Sequence, residues 1–208
     1  AHKMSNLQIY DFIDINDLFT GNEEYTENLK AFNDTYLDRL TGDERKMSNL
    51  ELNDFQDINK MLVASPHDED KIKNLNDKYL EQFINDSKKL SELLVLYFRE
   101  INKMLVASPH DENKLKAFNE AYLDQFINNG EKLSKLSPSK IENINNMFKD
   151  KQEYTENLKA FNDAYLDQFI NDENDKMSEL TLNDFKDINV LFTDKQEYAG
   201  KLKTINDV

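Results

Sequence analysis

The chain has no cysteine, only four glycines and three prolines, and no cluster of basic residues. Each scarcity excludes something. Without cysteine there is no disulfide framework and no thiolate metal site. With so little glycine and proline, few points along the chain are marked for sharp turns, so long uninterrupted elements are expected. The longest apolar run, LLVLYF at 93–98, falls far short of the ~20 residues needed to span a bilayer. Lysine and arginine total 26 against 41 acids, a formal net charge of −15. Phosphate backbones and anionic membrane surfaces call for clustered cations, so neither nucleic acid nor membrane insertion is expected.

What is present is repetition. INKMLVASPHDE stands at 58–69 and again at 101–112, and EYTENLKAFND stands at 24–34 and again at 153–163. The first offset is 43 residues and the second is three times that. Aligned aliphatics fall at Leu29, Ile72, Leu115, Leu158 and Leu202, in steps of 43, 43, 43 and 44. The chain therefore reads as one repeat domain over 1–208, with units at about 4–46, 47–89, 90–132, 133–176 and 177–208. The Ala-His-Lys before Met4 reads as a vector scar, and the fifth copy breaks off at Val208, as a piece cut from a longer array would. With 13 Phe and 9 Tyr, the chain is too aromatic and too periodic for a disordered one.

Within a copy the apolar spacing is helical. Ser137-Pro138 opens a first stripe through Ile141, Ile144, Met147 and Phe148, with Ser as N-cap and Pro in the first turn. After Asp150-Lys151 a longer stripe runs through Tyr154, Leu158, Phe161, Tyr165, Leu166, Phe169 and Ile170, in steps of three and four. The second helix is expected to span about 20 residues (~30 Å) and the first about half of that. Ser65-Pro66-His67-Asp68 and its copy Ser108-Pro109-His110-Asp111 mark the junction in the second and third units, with Ser as the expected cap. Thr181 and Asp184 have capping-box spacing. Met47/Leu50, Leu90/Leu93, Leu133/Leu136 and Met177/Leu180 (with Met4/Leu7) place a short helical turn between units. Residues 88–106 read as one longer helix. The fold class is all-α, and one hairpin cannot cover its own apolar face. A right-handed α-solenoid or shallow superhelix of about five hairpins is expected.

Among the repeated positions, Phe32, Leu75, Phe118, Phe161 and Ile205 read as packing. Two columns are polar: Asn16, Asn59, Asn102, Asn145 and Asn189 on the first helix, and Asn33, Asn76, Asn119, Asn162 and Asn206 on the second. Asparagine is a poor helix former that competes for its own backbone, so its recurrence in mid-helix needs a reason. One is a hydrogen bond between neighbouring helices that satisfies a half-buried amide. The other is an amide ladder gripping an extended peptide, because Asn carries both donor and acceptor. The unit length and the Asn columns look like armadillo-type arrays, but their sequence pattern is absent, as is the Trp, Gly and Pro pattern of tetratricopeptide repeats. The YLDQF segments (Tyr36, Tyr79, Tyr122 and Tyr165 with their acids) read as an apolar stripe with a solvated acidic face, or as a sticky Tyr–Asp surface.

Enzymatic signatures are missing. There is no G-x-S-x-G elbow, P-loop or dinucleotide fingerprint. His67 and His110 are one position in two copies and read as turn residues. Neither 14–24 nor 171–179 carries the alternating ligands of a calcium loop. The expectation is a non-enzymatic scaffold with no cofactor or metal, binding a protein or peptide partner. The Asn-, Asp-, Lys- and Ile-rich vocabulary fits a secreted effector or surface protein of an AT-rich microbe. The alternatives are an acidic decoy imitating nucleic acid and a purely structural spacer.

Overall fold

The computed structural model describes residues 7–170 and 176–207, and every described element is a helix; no strand occurs among them. The chain divides into two compact units, residues 1–118 and 119–208. In the first lie α1 (Ile9–Phe19), α2 (Thr26–Thr41), α3 (Glu44–Ser48), α4 (Leu52–Ala64), α5 (Glu69–Ile84), α6 (Ser87–Glu92) and α7 (Val95–Leu105). Helix α8 (Glu112–Ile127) contains the division. The second unit continues with α9 (Gly130–Leu133), α10 (Pro138–Phe148), α11 (Thr155–Ile170), α12 (Lys176–Glu179), α13 (Leu182–Phe192) and α14 (Ala199–Asn206).

The order is long, longer, short, and it recurs. The first helices α1, α7, α10 and α13 have 11 residues and α4 has 13; the second helices α2, α5, α8 and α11 have 16 each. The expected 20 residues were too many because a separate junction precedes each helix. In three copies that junction is a 3-10 turn, Glu23–Tyr25, Gln152–Tyr154 and Gln196–Tyr198. Three of the short helices are set by a side-chain cap: Asp43 accepts from Arg45 and Lys46, Asp86 from Lys88 and Lys89, and Asn129 from Lys132. Each satisfies amide donors with no partner inside the helix.

Two expected boundaries move. Residues 88–106 are not one helix: Leu93 and Leu94 are extended, splitting α6 from α7. Asp86 caps a separate short helix, and the chain extends at Leu93 and Leu94 before α7 begins. Ser65 does not cap α5 either. It closes α4, and Asp68 is the cap, accepting from Asp70. Ser137 is the N-cap residue of α10 with Pro138 in the first turn, though its hydroxyl meets Ser139 rather than the backbone. Thr181 and Asp184 do form a capping box. Met4 and residues 171–175 lie outside the described residues.

Aromatic pairs fill the core. In the first unit Phe12 stacks on Tyr36 at 3.8 Å and Phe55 on Tyr79 at 3.7 Å, and Phe118 lies 5.2 Å from Phe98 and 5.6 Å from Phe83. In the second, Phe126 meets Phe161 at 6.0 Å and Tyr165 meets Phe192 at 6.5 Å. Leu37, Leu80, Leu123 and Leu166 are fully buried, each contributing about 1.5–3 kcal/mol by transfer from water. Leu75, Phe118, Phe161 and Ile205 are buried as expected, and Phe32 is half-buried. The YLDQF tyrosines are core residues, so no Tyr–Asp surface forms there. Their acids tie second helices together instead: Asp38 to Lys71 at 2.7 Å, Glu81 to Lys114 at 2.6 Å, and Asp167 to Lys201 at 2.9 Å.

Candidate functional site

The two asparagine columns are the two halves of one recurring bond. Each first-helix Asn donates Nδ2 to the carbonyl four residues back: Asn16 to Phe12, Asn59 to Phe55, Asn102 to Phe98, Asn145 to Ile141 and Asn189 to Phe185. In four copies it also donates to the Oδ1 of an Asn 17 residues later, on the second helix. The distances are 2.8 Å (Asn16–Asn33), 3.0 Å (Asn59–Asn76), 2.8 Å (Asn145–Asn162) and 3.1 Å (Asn189–Asn206). In three of these pairs the bond is returned, the second Nδ2 donating to the first Oδ1 at 2.8, 2.8 and 2.9 Å. Helix propensity alone argues against a mid-helix Asn by about 0.5 kcal/mol. Each buried bond returns about 1 kcal/mol and avoids the larger cost of an unpaired amide. Asn102 Oδ1 and Asn119 Oδ1 are buried without a hydrogen-bond partner among the described residues.

The ten differ in access to solvent. Asn16, Asn33, Asn59, Asn76, Asn102, Asn119, Asn145 and Asn162 are at most 5% exposed. Asn189 is half-buried and Asn206 exposed. The junction of the following copy closes over the pair by either of two chemistries. In the first unit Asn33 Nδ2 donates to Ser65 Oγ (3.1 Å) and to the Pro66 carbonyl (2.9 Å), while Ser65 Oγ donates to Asn16 Oδ1. Asn76 likewise donates to Ser108 Oγ and the Pro109 carbonyl, both at 2.8 Å, and Ser108 donates to Asn59 Oδ1 at 2.7 Å. His67 and His110 hold these junctions, each Nδ1 lying 2.8 Å from the Ser65 or Ser108 carbonyl. A carbonyl only accepts, so Nδ1 carries the proton.

In the second unit the junction reads Lys-Gln-Glu-Tyr. Asn119 Nδ2 donates to Tyr154 Oη at 3.1 Å, and Asn162 Nδ2 reaches Tyr198 Oη at 3.4 Å. Lys195 Nζ donates to Asn145 Oδ1 at 3.0 Å and sits over the rings of Phe192 (5.1 Å) and Tyr198 (5.9 Å). Burial lowers the pKa of the Lys195 ammonium, Glu197 opposes that shift, and the nearby Lys149 charge adds to it. Between the α10–α11 and α13–α14 hairpins a cavity of about 530 Å³ remains, with Asn145, Asn162 and Lys195 among its walls.

Sequence reasoning missed a second feature, a column on the outer edge of the first helices. Leu18 is exposed and Met61 and Met104 are half-exposed in the first unit; Met147 and Leu191 are half-exposed in the second. They stand in register at steps of 43, 43, 43 and 44. Their fixed spacing was available to find them, but it looks the same as that of the buried positions.

Among the described residues no group of three or more His, Asp or Glu is placed to hold a metal ion, and no helix is long and apolar enough to cross a membrane. No protein-family model, curated protein or solved structure matches the chain.

Proposed function

We propose that the chain is a non-enzymatic scaffold that binds a protein or peptide, built as an α-solenoid of about five tandem hairpins with a 43-residue period. The recurrence of the amide pairs at that spacing supports the solenoid. The observation that carries the binding role is the row of half-exposed to exposed aliphatic side chains on the first helices of each unit. Solvent-facing methionine adapts to many partner shapes, and contiguous exposed apolar surface marks interaction sites. In the first unit this edge borders a groove of about 310 Å³ between α4 and α7. Val63 (81% exposed), Met104 and Ala107 line it, with Lys60 and Lys103 beside them and Glu100 opposing. The partner we assign is a peptide with an apolar anchor flanked by carboxylates. In this reading the buried asparagines serve the fold, and the exposed Asn206 is the column member open to a partner.

A displayed random peptide library tests this. The native chain should enrich peptides with an apolar anchor next to Asp or Glu, and Val63→Asp/Met104→Asp should lose them while keeping its circular-dichroism melt. Equal enrichment by both proteins overturns the reading. The net charge of −15 favours one rival, the acidic decoy. Decoy binding to a basic protein would fall steeply between low and moderate salt, whereas apolar anchoring would change little.

A further inference from the structure

The cavity between the α10–α11 and α13–α14 hairpins holds a half-buried ammonium, Lys195, bonded to a buried asparagine pair. Its exposed mouth carries both signs, Lys149 and Lys159 against Glu142, Asp194 and Glu197. Lys159 is committed to Asp163 at 2.6 Å. Lys195 is half-buried, and no carboxylate pairs with it among the described residues. One of its three ammonium protons goes to Asn145 Oδ1, which already receives Asn162 Nδ2 at 2.8 Å. Among the described residues the other two lie over the faces of Phe192 and Tyr198. An ammonium in such a position is partly desolvated and short of acceptors, with Glu197 attracting it more than Lys149 repels it. A carboxylate lodged there would supply the acceptors.

The corresponding groove in the first unit is smaller, about 310 Å³, and its lysines, Lys60 and Lys103, are exposed. There Ser108 Oγ and the Pro109 carbonyl occupy the Asn59–Asn76 pair. Ser-Pro sets a neutral hydroxyl against the asparagine pair where Lys-Gln-Glu-Tyr sets an ammonium. From this contrast we propose that the cavity is a subsite for a carboxylate of a bound peptide, held by Lys195 with Lys149 at the mouth. The inference deepens the peptide-binding reading and rests on it for the source of the carboxylate, either a C-terminus or an Asp or Glu side chain.

The test titrates short N-terminally blocked peptides into the full chain, following backbone amide shifts around the cavity by NMR in every protein and the Lys195 side-chain resonances in the native one. One pair compares a free C-terminal acid with its amide; a second compares Glu with Gln in a C-terminally amidated peptide. Acetate is the third probe. The acid of at least one pair should bind tenfold or more tightly than its neutral partner. Lys195→Met should abolish that difference and Lys195→Arg should keep most of it. The Met variant should remain folded, because Asn145 Oδ1 retains Asn162. Equal binding of acid and neutral forms, or unchanged discrimination in Lys195→Met, overturns the subsite and leaves peptide binding standing. Acetate shifting Lys195 while no peptide binds supports the carboxylate site and overturns the peptide reading. No shift of Lys195 with any probe overturns the subsite.

Discussion

The Ser-Pro-His-Asp junctions of the first unit and the Lys-Gln-Glu-Tyr junctions of the second meet the same buried asparagine pair and treat it differently. Ser65 and Ser108 insert a small hydroxyl and the backbone carbonyl that follows it, so the amides find close acceptors and donors, and the groove beside Asn59 and Ser108 is limited to about 310 Å³. Tyr198 and Lys195 reach the Asn145–Asn162 pair from farther away, with one bond stretched to 3.4 Å, and a cavity opens between them. A short side chain brings its backbone in with it, whereas a long one keeps its backbone at a distance. Copies that agree in their core can therefore differ at their junctions.

The largest expected effect is common to both regions and would break the comparison if it were not. Burial raises the phenol pKa of Tyr36 and Tyr79 in the first unit and of Tyr122 and Tyr165 in the second. Because the folded value lies above the unfolded one, the stability tied to the neutral phenols is intact below the ordinary tyrosine pKa of about 10 and is lost as pH rises beyond it. Cooperative alkaline unfolding above about pH 10 is expected, with phenolate absorbance at 295 nm and helical signal changing together. Phenolate forming in a still-helical protein would show that the tyrosines are not core.

Asn33→Ala comes next. It strips Asn16 of its amide partner and leaves the Pro66 carbonyl short of a donor, so it should cost about 2–4 kcal/mol in urea denaturation. The same change at the solvent-facing Asn206 should cost under about 1 kcal/mol, since water replaces what is lost. Equal costs at the two sites would mean that closure by the following junction adds nothing.

Ser65→Ala removes one hydroxyl shared among Asn16, Asn33 and Thr20, and about 1–2 kcal/mol should go with it. The second unit's counterpart, Lys195→Met, is expected to be nearly neutral, within about 1 kcal/mol. Burial depresses the Lys195 pKa, so its charged form opposes folding, and that opposition fades as pH rises through the depressed value. The small stability gain of the Met variant should therefore shrink in alkaline buffer. A Met variant as damaged as Ser65→Ala would make Lys195 a structural plug like the serine.

Much of this was legible in the chain itself. The helical class followed from the three- and four-residue steps through Ile141 to Ile170, because only a helix turns those positions to one side. The Thr181–Asp184 capping box and the short turns at Met47 and Leu90 were readable because a few neighbouring residues decide them. The break at Leu93-Leu94 was not, since its apolar letters fit a helix equally well. Nor could spacing separate Met104, half-exposed, from Leu105, fully buried: both recur every 43 residues.

The amino acids alone thus fixed what depends on near neighbours: helical periodicity, the helix starts at Pro138 and Leu182, and a 43-residue rhythm of letters. Partnership between residues far apart along the chain needed three dimensions. That Asn145 finds Asn162, that Lys195 then reaches over to join them, and that a hollow survives beside the three all depend on backbone separations, which no count of letters encodes.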